Sequence, residues 1–129
     1  MEISENLLIK RLRKYGNKSP KVVRGMGDDG AVVKLNEGQY VFVQDAMVEH
    51  VHFEFSFLDP YFVGKKIIDI NVSDVLSMGA LPLYYLVTIG VPNVVTSSTI
   101  DRLYKGMRRA SGSLPTRMPW CTRTARPRP

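Results

Sequence analysis

The stretch from Asp59 to Pro82 constrains the fold more than any other part of the chain. Asp59-Pro60 is a helix start, a capping carboxylate followed by proline at the first helical position. The helix can run from Pro60 to about Met78, where Gly79-Ala80-Leu81-Pro82 stops it. Phe62, Val63, Ile67, Ile68, Ile70, Val72, Val75 and Leu76 make it apolar around most of its circumference. Lys65 and Lys66 are its evident solvent residues. A helix of that kind sits inside a fold and needs cover on more than one side.

The flanking segments can supply the cover. Ile3, Leu7, Leu8 and Leu12 recur at helical spacing over residues 3–15, and Gly16-Asn17 ends that helix. Residues 17–30 read as a loop rich in Gly, Lys and Asp. Ala31–Leu35 and Tyr40–Gln44 are apolar and β-branched, joined by the turn-like Asn36-Glu37-Gly38, and predict a hairpin. Glu49–Phe57 alternates Val51, Phe53, Phe55 and Phe57 with polar residues, which predicts a half-buried strand. Leu83–Val91 predicts a strand closed by Pro92. Thr96-Ser97-Ser98-Thr99 then caps a helix with Ile100, Leu103, Tyr104 and Met107 on one face. The predicted order is α-β-β-β-α-β-α, with no repeat and no boundary before about residue 108.

Composition removes several functional classes. The chain has 129 residues, 44% hydrophobic and 23% charged, enough for one domain with a core. No apolar run approaches the roughly 20 residues that span a bilayer. The start, Met1-Glu2-Ile3-Ser4-Glu5, lacks the basic-then-apolar pattern of a secretory signal, which makes the cytoplasm the expected compartment. One cysteine, Cys121, excludes an internal disulfide framework. The net charge of +6 invites a nucleic-acid reading, but residues 1–107 hold twelve basic and twelve acidic residues. The excess is six arginines at 108, 109, 117, 123, 126 and 128. No aromatic-basic interleaving accompanies them, so neither nucleic acid nor membrane is an expected partner.

The polar residues that stand out are acids. Gly25-Met26-Gly27-Asp28-Asp29-Gly30 matches G-x-G-x-x-G, with Asp45 at the distance of the usual ribose-binding acid. A dinucleotide site is nevertheless rejected, because that motif must open a helix and this one runs into the predicted hairpin. Two carboxylates would also face the pyrophosphate without an intervening cation. With a cation, the same loop supplies hard oxygen ligands suited to Mg²⁺, and glycines that let phosphate approach. Taken alone, it is more readily a solvated acidic turn. Asp45 follows an apolar run and is expected at a strand end, where side chains are held rigidly. Asn71 and Asp74 are i, i+3 neighbours on the apolar helix, so they share a face. A carboxylate there needs a partner, either a metal or an internal ion pair. His50 and His52 would share one strand face. No cysteine lies near to complete a zinc site, and substrate contact by one histidine is the better expectation. P-loop and kinase signatures and nucleophile pairs are absent.

Four motifs in order resemble the N-terminal half of the thiamine-monophosphate kinase family, of the aminoimidazole ribonucleotide synthetase-like superfamily. They are Gly25–Val33, Gln44-Asp45-Ala46-Met47-Val48-Glu49, Val51-His52-Phe53, and Asn71-Val72-Ser73-Asp74 through Met78-Gly79-Ala80-Leu81-Pro82. The resemblance covers roughly residues 1–107. It implies an α+β fold, a mixed or antiparallel sheet packed with helices, with the C-terminal domain missing. It implies ATP-dependent phosphorylation of thiamine monophosphate to thiamine diphosphate, with Mg²⁺ as cofactor and a homodimer as the assembly. Carried across, Asp28, Asp29, Asp45 and Asp74 would hold metal, His52 would face substrate, and Gly27, Asn71 and Tyr104 would lie near the nucleotide. Phosphoryl transfer of this kind depends on positioning and charge neutralisation and needs no side-chain nucleophile.

The chain departs from the family in two places. Val43-Gln44 stands where the family has Ser/Thr-Thr, which removes a hydroxyl contact to metal. After Tyr104-Lys105-Gly106 the family continues into a strand, a Gly-Gly-Asp motif and a second domain. Here residues 108–129 are basic and rich in Pro and Arg, without apolar periodicity. That composition predicts a disordered or frame-shifted tail on a domain of residues 1–107, and a fragment inactive by itself. The alternatives are another ATP-dependent enzyme of the superfamily, of the selenophosphate synthetase, aminoimidazole ribonucleotide synthetase or hydrogenase-maturation type, or a non-catalytic dimerising or metal-binding remnant.

Overall fold

A computed structural model describes residues 4–16, 19–27, 30–114 and 120–124. Helix α1, Glu5–Leu12, is capped by Ser4, whose Oγ accepts the Leu7 N–H at 3.3 Å, and it continues as a 3₁₀ turn, Arg13–Tyr15. Two short strands follow, β1 (Val22–Arg24) and β2 (Val32–Val33), paired antiparallel. Helix α2 spans Pro60–Ser77, β3 spans Tyr85–Ile89, and α3 spans Ser97–Gly112. Strand β4, Trp120–Thr124, pairs parallel with β3 in register from Tyr85–Trp120 to Ile89–Thr124. The architecture is α+β, two small sheets with helices.

Both long helices begin as their sequences require. The Asp59 carboxylate accepts the Tyr61 N–H at 2.8 Å, with Pro60 behind it. Thr96 Oγ1 accepts the Thr99 N–H at 3.2 Å. Arg102 joins the two starts, its Nε donating to Asp59 Oδ1 at 3.2 Å and its Nη2 to Oδ2. These bonds hold the Asp59 carboxyl below the usual carboxylate range: first the Arg102 hydrogen bond, then the Tyr61 N–H. At the other end of α2, Gly79 takes φ +72°, the left-handed turn that ends a helix.

The α2–α3 crossing is close because glycine faces backbone on both sides. A Cβ on Gly64 would overlap the Leu103 carbonyl oxygen, and one on Gly106 would overlap the Tyr61 carbonyl oxygen. The core forms around this contact. Ile68 and Val72 of α2 meet Ile100, Tyr104, Met107 and Ala110 of α3, with Leu8, Leu12 and Tyr15 from the N-terminal helix and turn. Tyr85, Val87 and Ile89 of β3 lean on the same cluster, while Leu86 and Thr88 face outward. Burial raises the Tyr85 phenol to about 12, with its OH 3.5 Å from Ser111 Oγ.

A polar clasp pins the N-terminal helix to α3. Arg11 donates to Asp101 Oδ2 through Nε at 2.7 Å and through Nη2. Lys14 Nζ stands 3.4 Å from Oδ1, and the Tyr15 hydroxyl donates to the same oxygen at 3.3 Å. Burial pushes the Asp101 carboxyl upward, but the Arg11 hydrogen bond and the Lys14 and Arg11 charges outweigh burial and hold it low.

The middle of the chain departs from the predicted strands. Val32–Val33 pairs with Val22–Arg24 and not with Tyr40–Gln44, so the hairpin of residues 31–44 does not form. Residues 40–44 have no strand partner among the described residues, and Phe42 is 88% exposed. Residues 49–57 are also not a strand. Val51 and His52 N–H groups donate to the Val48 carbonyl at 3.2 and 2.8 Å, His50 N–H donates to Phe53 at 2.8 Å, and His50 takes φ +67°. An alternating pattern makes a strand only where a neighbour accepts its ladder; without one, these backbone groups close locally. Helix α3 also runs past Met107, burying Ala110 and Ser111.

Gly106→Ala will lower stability by about 3 kcal/mol or more, because backbone and not a movable side chain blocks the methyl group; urea unfolding measures it. Asp101→Asn will cost about 2 kcal/mol near neutral pH. Since folding depresses this carboxyl, its contribution is present above the unfolded-state value of about 3.9 and is lost as pH falls through the folded-state value. Wild type will therefore lose part of its stability in that acid range, and the asparagine variant will lack that component.

Candidate metal and phosphate site

Helix α2 organises the site because its face of Val63, Gly64, Ile68 and Val72 is buried, while Phe62 and Leu76 stay exposed, so its polar residues have determined positions. Asn71 lies one turn beyond Ile67. Its Nδ2 donates to the Ile67 carbonyl at 2.9 Å, which sets the amide so that Oδ1 points away from the helix. That Oδ1 accepts the Asp45 N–H at 3.0 Å. Asp45 then turns back on its own chain, its Oδ1 accepting the Ala46 N–H at 2.8 Å. A loop with no strand to hold it is thus tied to the central helix through one amide. Asp74 follows Asn71 by one turn on the same helix, and both Asp45 and Asp74 are exposed.

The remaining expected residues are distributed unevenly. Gly27 is exposed with φ +109°, a conformation that glycine supplies at no steric cost. Asp28 and Asp29 lie outside the described residues. His52 is exposed, and its Nδ1 accepts the Val48 N–H at 3.0 Å. In the neutral ring the proton is therefore on Nε2, which leaves a donor available to a ligand. His50 pairs instead with Glu54, whose hydrogen bond and charge raise the imidazole above its ordinary value. Tyr104 lies on α3. It is 1% exposed in the core, its ring 6.2 Å from that of Tyr15, and it packs rather than faces solvent.

The structure therefore joins Asp45 to Asn71, with Asp74 one turn farther along α2. Among the described residues, no group of three or more His, Cys, Asp or Glu side chains converges as a metal cage. Sequence reading picked out Asn71 by its spacing to Asp74 but not its grip on the Asp45 backbone. The signal available was an amide on an otherwise apolar helix.

The family model described as AIR synthase related protein, N-terminal domain, matches residues 27–117. The chain belongs to that family. It is 40% identical over 84 residues to the thiamine-monophosphate kinase of Bacillus subtilis (strain 168), covering 64% of this chain and 26% of that protein. Against the thiamine-monophosphate kinase of Methanocaldococcus jannaschii, identity is 39% over 102 residues, 78% of this chain and 31% of the relative. The fold matches the crystal structure of thiamine-monophosphate kinase from Stenotrophomonas maltophilia K279a with a TM-score of 0.76 at 24% identity, over 98% of this chain and 40% of that one. The enzyme of Aquifex aeolicus gives 0.56 at 32% identity, over 61% and 26%. This family member thus spans about a quarter to a third of the length of those two sequence relatives.

Proposed function

We propose that this chain supplies the N-terminal, Mg²⁺- and nucleotide-binding part of a thiamine-monophosphate kinase, the enzyme that phosphorylates thiamine monophosphate to thiamine diphosphate with ATP. The observation that carries the reading is the hydrogen bond from the Asp45 N–H to Asn71 Oδ1. It unites two motifs 26 residues apart that have no other evident reason to meet. The relatives named thiamine-monophosphate kinase support the activity at family level.

The donor set suits Mg²⁺. That ion keeps several waters and is held by one or two carboxylates together with substrate phosphates, rather than by a closed protein cage. Asp45, bonded through its N–H to Asn71, and Asp74, one turn beyond Asn71 on α2, are exposed oxygen donors, and Asp28 and Asp29 would add to them from the Gly25–Gly30 loop. When bound, the metal would neutralise charge developing on the transferred phosphoryl group. The chain's own part is to hold the donors. Helix α2 fixes Asp74, Asn71 fixes the Asp45 backbone, and His52 offers Nε2–H towards the substrate. The domain of residues 1–107 would bind Mg²⁺ and ATP, and the assembly would be a cytoplasmic homodimer. Phe42, Phe57 and Leu86, exposed at 88, 89 and 76%, would be available to a partner. No helix among the described residues is long and apolar enough to cross a membrane.

Calorimetric titration of the 129-residue chain with ATP tests this. Binding will require Mg²⁺ and will weaken at least about tenfold in Asp45→Ala, the scale of losing one charged metal contact. Equal affinity with and without Mg²⁺, or an unaffected alanine variant, contradicts it.

A further inference from the structure

Among the described residues, His50 is the only non-glycine at positive φ, +67°. A Cβ crowds the backbone there, so the conformation persists only where surrounding contacts impose it. Several contacts converge on it. The His50 N–H donates to the Phe53 carbonyl at 2.8 Å, and the Val48 carbonyl accepts the Val51 and His52 N–H groups at 3.2 and 2.8 Å. The Val48 N–H donates in turn to His52 Nδ1 at 3.0 Å, so the turn of residues 48–53 closes on the His52 ring. From the same turn, His50 Nδ1 bonds Glu54 Oε1.

Glu54 is the anchored end of that bond. Its carbonyl accepts the Phe57 and Leu58 N–H groups at 3.1 and 2.9 Å, immediately before the Asp59 cap of α2. Its second carboxylate oxygen accepts the Ser56 hydroxyl at 3.1 Å. The pair therefore ties the turn to the start of a helix that the core holds. Each partner favours the charged form of the other. The Glu54 hydrogen bond and charge, with a smaller push from Glu49, raise the His50 imidazole, and the His50 and Ser56 hydrogen bonds hold the Glu54 carboxyl low. A glycine at position 50 would take the same φ without a tie. We propose that His50 and Glu54 are positioning residues, whose side-chain bond holds the turn of residues 48–53 and so orients His52. What His52 meets rests on the proposed kinase reading, but the hold on the turn does not.

Amide hydrogen exchange in the full 129-residue chain tests this. Glu54→Ala will speed exchange at Val48 and His52 about fivefold, the upper reach of an exposed ion pair, while Ile68 and Val72 in the core keep their wild-type rates. Adding His50→Gly to Glu54→Ala will bring Val48 and His52 back to within about twofold of wild type, because glycine needs no tie at positive φ. Unchanged exchange in Glu54→Ala overturns the proposal. So does a double variant as open as the single one, or acceleration that reaches Ile68 and Val72 equally. Calorimetric titration with thiamine monophosphate reads the consequence for His52: affinity will fall in Glu54→Ala and recover in the double variant. If exchange behaves as stated while His52→Ala leaves that affinity unchanged, the His50–Glu54 tie stands and the substrate-facing role of His52 falls. If His52→Ala weakens binding while Glu54→Ala alters neither binding nor exchange, the role of His52 stands and the tie falls.

Discussion

The close crossing of α2 and α3, where Gly64 faces the backbone at Leu103 and Gly106 the backbone at Tyr61, is the constraint from which the rest follows. Each residue faces the other helix's backbone with no side chain between, so α2 and α3 approach more closely than any larger pair would permit. That approach lets Ile68 and Val72 reach Ile100, Tyr104 and Met107, and it makes one core of residues far apart in sequence. With α2 so fixed, its polar residues cannot rotate to suit themselves. Asn71 and Asp74 are held where the core puts them.

Around this pair of helices the structure is secured by polar contacts with distinct tasks. Asp101 gathers Arg11, Lys14 and Tyr15 and thereby docks the N-terminal helix. Asp59 caps α2 while bonding Arg102 of α3, so one carboxylate starts one helix and registers it against the other. Asn71 performs the corresponding task for the site. It uses one end of its amide on its own helix and the other on the Asp45 backbone. The loop carrying Asp45 has no strand to hold it, so this single bond does much of the positioning.

The helices were readable because their signals are local. Asp59-Pro60, Gly79, Pro82 and Thr96 mark ends that the structure places within a residue or two. The strands were less readable because a strand is completed by its neighbour. The alternation of Val51, Phe53, Phe55 and Phe57 describes one face of a sheet, yet residues 48–53 bond to themselves. Val32-Val33 found β1 rather than the more apolar Tyr40–Gln44. The composition change at residue 108 does not coincide with the end of α3, since Ala110 and Ser111 are buried and carry the helix to Gly112. Spacing of i, i+3 put Asn71 and Asp74 on one helix face, and motif order picked out Asp45, whose N–H the Asn71 amide holds. An aromatic on an amphipathic helix reads alike as core or as ligand contact, and Tyr104 is buried. The two close glycines gave no pattern at all, because nothing in sequence pairs Gly64 with Gly106.

The proposed cation site requires that α2, held by its core, bring Asp45 and Asp74 within reach of one ion. The most direct measurement is paramagnetic line broadening of amide resonances on adding Mn²⁺ in place of Mg²⁺ together with a non-hydrolysable ATP analogue. Selective broadening is expected around Gly27–Gly30, Asp45–Ala46 and Asn71–Asp74, with the α1–Asp101 clasp spared. Broadening spread evenly over the surface acids, or centred on Glu49, His50 and Glu54, would contradict it.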